Sequence, residues 1–265
     1  MRTPRTSRKF ASHTAVAAVV LIAAIAFPTV AQKKRVPPGG NIAVIADERL
    51  AALRVAPSLS ARLIRRLSRG RFVSVRTTRR NHEGISFSQI VVTRRTSGWV
   101  QSEALVTSGR NGDDERLAHL IKGADEFDRI ARSRIFLDHF PRSSLRPKVL
   151  LALGDAAEEA AAQLSREATR RFERREIPTD GAPEHSYYMN YNGLDRYNRQ
   201  GVIFTFDRAT KQFHYDGAAW REIVRKYPDS PEAAGAKKRL EKLTAYSPLT
   251  RAAILSSRLS NESLS

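Results

Sequence analysis

At 265 residues, 41% of them hydrophobic and 28% charged, the chain has the balance of a globular protein of one large or two small domains rather than a disordered one. The absence of cysteine excludes disulfides, thiolate metal sites, iron–sulfur ligation and thiol catalysis. Its 46 Lys and Arg against 27 Asp and Glu leave a net charge of +19, so electrostatics favours an anionic surface or polymer as partner.

The N-terminus reads as an address. Arg2, Arg5, Arg8 and Lys9 precede an apolar run of 13 residues, 15–27, and Thr29-Val30-Ala31 then offers small residues where a signal peptidase reads. A membrane-spanning helix needs about 20 residues, so residues 1–31 are expected to be a secretory signal cut after Ala31. The alternative is an uncleaved inner-membrane anchor, since Lys33, Lys34 and Arg35 lie just past the cut and positive charge there resists translocation. Export, to the periplasm or outside the cell, removes nucleic acid as the expected polyanion and leaves phospholipid headgroups and envelope polymers. Residues 32–40, with Val36-Pro37-Pro38-Gly39-Gly40, read as a linker.

Residues 41–108 carry short β-rich runs between turn residues, with no sustained helical period. Strands are expected at 42–46, 50–55, 71–75, 85–93 and 98–101, with 62–67 ambiguous between strand and helical turn and an arginine-heavy loop at 76–80. That many short strands in so few residues point to a small closed or half-closed barrel. Leu53-Arg54-Val55-Ala56-Pro57-Ser58 resembles the opening strand and turn of the bacterial SH3-like (SH3b) domain. Leu63 to Leu67, then Arg69-Gly70 and Val73-Ser74-Val75, are similar to its middle segment, and Ser97-Gly98-Trp99-Val100 with Ala104-Leu105 to its closing strand and turn. Ala56 departs from that family's usual glycine. The resemblance implies a domain that binds envelope components or cell-wall peptides and performs no chemistry.

Between 41 and 108, 12 basic residues face 4 acidic ones, a net +8, and with residues 33–35 this third holds +11 of the +15 expected for the mature chain. Arg62, Arg65, Arg66, Arg69, Arg76, Arg79 and Arg80 are therefore the candidate ligand-binding residues, with Trp99 as an aromatic neighbour. The plain alternatives are a solvated basic face and, for Trp99 and Phe87, a place in the core. This region is expected to fold independently, because the change of period near Asn111-Gly112-Asp113 is abrupt.

From Asp113 onward Leu117, Leu120, Ile121, Ala124, Phe127, Ile130 and Ala131 recur at helical spacing behind the acidic cap Asp113-Asp114-Glu115. A second periodic run, from Leu145 to Phe172, makes residues 113–172 a helical hairpin joined at Pro141. Phe140-Pro141-Arg142-Ser143 returns as Tyr227-Pro228-Asp229-Ser230, 87 residues later, with Ser230 placed to cap a helix beginning at Pro231. This punctuation resembles tetratricopeptide (TPR)-type hairpins of bacterial envelope proteins, and assigns a second hairpin to 218–243. Its implied role is to hold a protein partner. Residues 173–217 read as a loop, a short aromatic helix over 187–197 and a β-hairpin with strands near 202–206 and 212–215. Residues 244–265 read as a polar tail.

The expected fold is thus multidomain β plus α: an SH3-like barrel followed by a mainly helical region with an inserted hairpin. Phosphate loops, dinucleotide fingerprints, nucleophile elbows and paired metal-ligand histidines are all missing from the sequence, so neither metal nor cofactor is expected. Three readings remain: a non-catalytic exported adaptor touching an anionic envelope polymer or lipid surface and a protein; a structural protein contacting membrane lipids; and an envelope enzyme, wall-hydrolase-like. The last needs a site among Glu184, His185, Asp195, Asp207, His214 and Asp216, with Asp207 and Asp216 as its carboxylate pair.

Overall fold

The computed structural model describes residues 41–173 and 181–246. The expected signal, linker and most of the C-terminal tail lie outside them. The architecture is mixed α/β, a seven-stranded antiparallel sheet followed by helices. The sheet comprises β1 (Asn41–Ile45), β2 (Ala52–Arg54), β3 (Leu63–Arg66), β4 (Phe72–Arg80), β5 (Ser86–Thr93), β6 (Thr96–Gln101) and β7 (Leu105–Val106), in the spatial order β3-β2-β6-β5-β4-β1-β7. The ambiguous segment 62–67 is the edge strand β3. The run expected to loop at 76–80 continues β4, which stays paired to β5 through Arg80↔Ser86. Its hairpin turn is set by Asn81, whose Oδ1 accepts the Ile85 N–H, and by Gly84 at φ 79°.

β1 explains how sheet and helices join. Alternate side chains of a strand point to opposite faces, and here both faces are covered. Ala43 and Ile45 pack with Leu53, Ile90, Val100 and Leu105 in one core, while Val44 and Ala46 pack with Val106, Leu117, Ile121 and Phe136 in another. Hence the run Ile42-Ala43-Val44-Ile45-Ala46 is continuously apolar instead of alternating. The shift of period near residue 112 hides this shared core. Asp113 reinforces the joint, accepting the Thr107 N–H at 2.7 Å and the Arg110 guanidinium at 2.7 Å.

The helices are α1 (Asp113–Lys122), α2 (Glu126–His139), α3 (Arg146–Glu173), α4 (Glu184–Met189), α5 (Asp195–Asn198), α6 (Ala218–Lys226) and α7 (Glu232–Tyr246). The single helix expected before Pro141 is two, broken at Gly123, which ends α1 with its N–H bonded to His119 O. The aromatic helix expected over 187–197 is likewise divided, into α4, a 3₁₀ turn (Asn192–Leu194) and α5. α3 is the spine. Its buried face, Leu153, Ala156, Ala157, Ala160, Ala161, Leu164 and Ala168, is mostly alanine, which lets neighbouring backbones come close. At Gly154 the approach is closest: a Cβ there would lie 2.2 Å from Trp220 Nε1.

The repeated punctuation marks two turns with the same backbone bonds. In the first, the Phe140, Ser143 and Arg146 N–H groups bond to Phe136, Phe140 and Ser143 carbonyls. In the second, Tyr227, Ser230 and Ala233 bond to Ile223, Tyr227 and Ser230. The side chains differ. Ser143 Oγ accepts the Leu145 N–H and donates to Asp114, whereas Ser230 Oγ is buried without a partner among the described residues, so the expected side-chain cap is not made there. Phe140 is buried among the residues that join sheet to helices; Tyr227 is half-buried against the α3 core and its hydroxyl meets Arg146 Nε at 3.1 Å.

Between the two turns, β8 (Phe204–Asp207) and β9 (Gln212–Tyr215) form the expected hairpin. It lies against α3, where Ser165 Oγ accepts the Phe213 N–H at 2.7 Å and Glu158 Oε2 the Tyr215 N–H at 2.8 Å. An edge strand's outward amides are thereby satisfied by helix side chains.

Candidate functional site

The arginines singled out by sequence divide into three groups. Arg62, Arg65 and Arg66 stand exposed on and beside the edge strand β3, and Arg76, Arg79 and Arg80 are exposed along the far half of β4. None of these six pairs with a carboxylate of the described residues. Arg69 is different. Its guanidinium grips both Asp128 oxygens, at 2.7 and 2.9 Å, and reaches Glu48 at 3.2 Å, with only 10% of the side chain exposed. That makes it a clasp between the sheet region and α2, and the neighbouring guanidinium holds the Asp128 carboxyl below the usual carboxylate range.

Strand register decides which of these groups share a face. Leu63 stands opposite Arg54, Arg54 opposite Trp99, Trp99 opposite Gln89 and Gln89 opposite Thr77. One face therefore carries Leu63, Arg54, Trp99, Gln89 and Thr77 in a row, and the Arg79 guanidinium lies 5.7 Å from the Trp99 ring centroid. Arg80, the next residue on the strand, points to the opposite face. Trp99 is only 9% exposed, so it belongs to the packed sheet and offers no open stacking platform. Where β6 passes β2 there is no room for a side chain: a Cβ on Gly98 would lie 2.6 Å from Arg54 O.

Sequence reasoning missed what lies beside the arginines. Seven large hydrophobic residues are exposed among the described residues, and four of them, Val55, Leu59, Leu63 and Ile64, fall in the hairpin that joins β2 to β3. The signal was present in the alternative strand reading of 62–67: an edge strand of sequence Leu-Ile-Arg-Arg cannot bury both of its faces.

The second cluster does not converge. Glu184 pairs with Lys211 at 2.7 Å and, with His185, Tyr188, Phe206 and Arg208, borders a hollow of about 160 Å³. His214 Nδ1 lies 3.1 Å from Glu158 on α3. Asp195 begins α5. Asp207 accepts the Ala209 N–H at 2.8 Å as a turn residue; burial pushes its pKa up, but hydrogen bonds from Ala209 and Thr210 outweigh that and hold it below the ordinary value. Asp216 accepts the Ala218 N–H at the start of α6 and pairs with Arg221. Asp207 faces Gln212 while Asp216 follows Tyr215, so the two carboxylates mark opposite ends of the hairpin, about 13 Å apart at 3.3 Å per residue, and form no pair. Tyr215, pushed up to about 12 by burial, accepts the Ala219 N–H and serves as a cap for α6. Among the described residues no three His, Asp or Glu side chains gather as metal ligands.

Comparison with protein families, with curated proteins and with solved structures finds no match to this chain.

Proposed function

We propose that the protein is a non-catalytic exported adaptor of a bacterial envelope, whose basic sheet region binds an anionic envelope component and whose helices hold a protein partner. The observation that carries this reading is the set of six exposed arginines on and beside β3 and along β4, with no carboxylate partner among the described residues. Desolvating a guanidinium that has no protein partner costs little if a phosphate or carboxylate of a ligand replaces water. The SH3-like reading of the sheet region draws support from the order of its strands, in which β1 lies between β4 and the closing strand β7. The two turns with matched backbone bonds support the TPR-like reading of the hairpins α2–α3 and α6–α7.

The test is co-sedimentation of the chain beginning at Gln32 with purified sacculi and with anionic vesicles. Binding is expected at low ionic strength and should fall steeply with added salt, since beyond about 8 Å exposed charges are largely screened at physiological ionic strength. Failure to pellet with either at low salt would refute the reading. Sequencing the N-terminus of the protein from an envelope fraction checks export, with Gln32 as the expected first residue.

A further inference from the structure

We infer that the hairpin joining β2 to β3 is a membrane-docking tip, which seats Val55, Leu59, Leu63 and Ile64 in the interface of an anionic bilayer while Arg62, Arg65 and Arg66 hold lipid phosphates. The inference rests on the reading above that the sheet region binds an anionic component, and it names that component as lipid.

Three observations converge on this hairpin. The first is apolar exposure: Val55, Leu59, Leu63 and Ile64 are 45%, 44%, 42% and 39% exposed, and they lie within ten residues of sequence. Single surface leucines need no explanation, whereas four exposed apolar side chains in one hairpin do, with Leu63 and Ile64 on opposite faces of its edge strand. The second is charge. Ten arginines and no acidic residue lie between Glu48 and Glu83, and Arg62, Arg65 and Arg66 interleave with the apolar side chains. The third is order. The Val55 N–H bonds to Arg62 O at 3.1 Å, Ala61 N to Ser58 O at 3.3 Å, and Arg54 Nη1 donates to Ala61 O at 2.7 Å, so the tip is held in shape before it meets a partner.

The mixture of groups selects the occupant. A soluble polyanion or a wall polymer neutralises arginines but offers no hydrocarbon to leucine and isoleucine. A second copy of the chain would bring two acid-free, arginine-bearing tips together, which like-charge repulsion opposes. An anionic bilayer satisfies both halves: apolar side chains enter the boundary between headgroups and acyl chains, and arginines remain at phosphate level with their aliphatic stems along the apolar surface.

The experiment uses the chain beginning at Gln32, which contains all three apolar cores of the fold. Three probes are compared: vesicles of equal parts phosphatidylglycerol and phosphatidylethanolamine, vesicles of phosphatidylcholine alone, and inorganic polyphosphate, a polyanion with no hydrocarbon. The unaltered protein is expected to bind the anionic vesicles and polyphosphate, and phosphatidylcholine weakly. L59S/L63S should lose on the order of tenfold in affinity for the anionic vesicles with polyphosphate binding unchanged, because covering two exposed leucines supplies apolar energy that only lipid returns. R65Q/R66Q should weaken both. An L63W variant should shift its emission to the blue on the anionic vesicles and be quenched by brominated acyl chains, a readout independent of whether the serine variant folds. Polyphosphate and vesicle binding that ignore L59S/L63S, with L63W unquenched, would overturn the lipid tip and leave the anionic-component reading standing. Absence of binding to every probe would overturn the lipid tip, and absence of binding to sacculi as well would overturn the anionic-component reading.

Discussion

The ten arginines between Glu48 and Glu83 do different work according to what the fold brings opposite them. Arg69 meets Asp128, 59 residues further along, and that distance in sequence is why its role is invisible there: a basic run looks uniform until a carboxylate from another element arrives. Loss of this clasp has a defined pH signature. Asp128 has its pKa lowered in the folded protein, chiefly by hydrogen bonding to Arg69, so its contribution is complete above the unfolded value of about 3.9 and disappears as pH falls through the folded one. R69Q should therefore cost about 1 kcal/mol at neutral pH, a figure kept small because Asp128 is half exposed and its attraction is screened by water. In urea melts the gap between R69Q and the unaltered protein should close below about pH 4. A gap that persists there would mean that Arg69 stabilises by packing alone. Arg62, Arg65 and Arg66, by contrast, were legible as a candidate surface from the local excess of basic charge alone, since residues 41–108 hold 12 basic and 4 acidic side chains.

Elements, more than single residues, account for what the sequence could and could not reveal. The hairpin β8–β9 was legible from its alternation and turn, but its anchorage was not, since Ser165 and Glu158 lie on α3 with ordinary helical spacing of seven. Ser165 Oγ is buried and takes the Phe213 N–H; S165A leaves that amide without an acceptor and should destabilise the fold by about 1 to 3 kcal/mol. Hydrogen exchange at the Phe213 amide should accelerate in S165A, and an unchanged rate would show that water replaces the hydroxyl. The paired turns were legible because aromatic, proline and serine recur in the same order, yet their side chains have diverged. Phe140 is buried in the joint between sheet and helices, and F140A should cost about 3 to 5 kcal/mol. Tyr227 is half-buried, so Y227F should cost about 1 kcal/mol, the value of its bond to Arg146. Thermal melts of F140A and Y227F check each value, and a loss of under about 1 kcal/mol in F140A would place Phe140 outside the joint. The break at Gly123 escaped notice because the apolar period runs through it, from Ile121 and Ala124 into Ile130.

For the whole molecule, the question is whether sheet and helices unfold as one. The change of period near residue 112 predicts independent folding of residues 41–108, but period is a property of backbone geometry. Cooperativity follows buried contact instead. Val44, Ala46 and Val106 pair across the β1–β7 edge or adjoin it, and their side chains lie in one core with Leu117, Ile121, Ile135, Phe136 and Val149. Separating the sheet region would return those strand residues to water at about 25 cal/mol per Å² of apolar surface, with the Arg69–Asp128 clasp and the Asp113 joint lost as well. The chain supplies its own reporters, since its two tryptophans fall one in each part, Trp99 on β6 and Trp220 on α6. W220F leaves Trp99 as the sole reporter, and because Trp220 Nε1 has no hydrogen-bond partner among the described residues, phenylalanine removes no bond to them. W99F leaves Trp220, and gives up the Arg79 contact on the sheet. In each single-tryptophan protein the fluorescence melt should coincide with the loss of far-ultraviolet circular dichroism, because a shared core makes both parts report one transition. If in W220F the Trp99 signal survives to a higher temperature than the helical dichroism, the sheet region is a domain of its own and the joint at β1 is an interface between two folds.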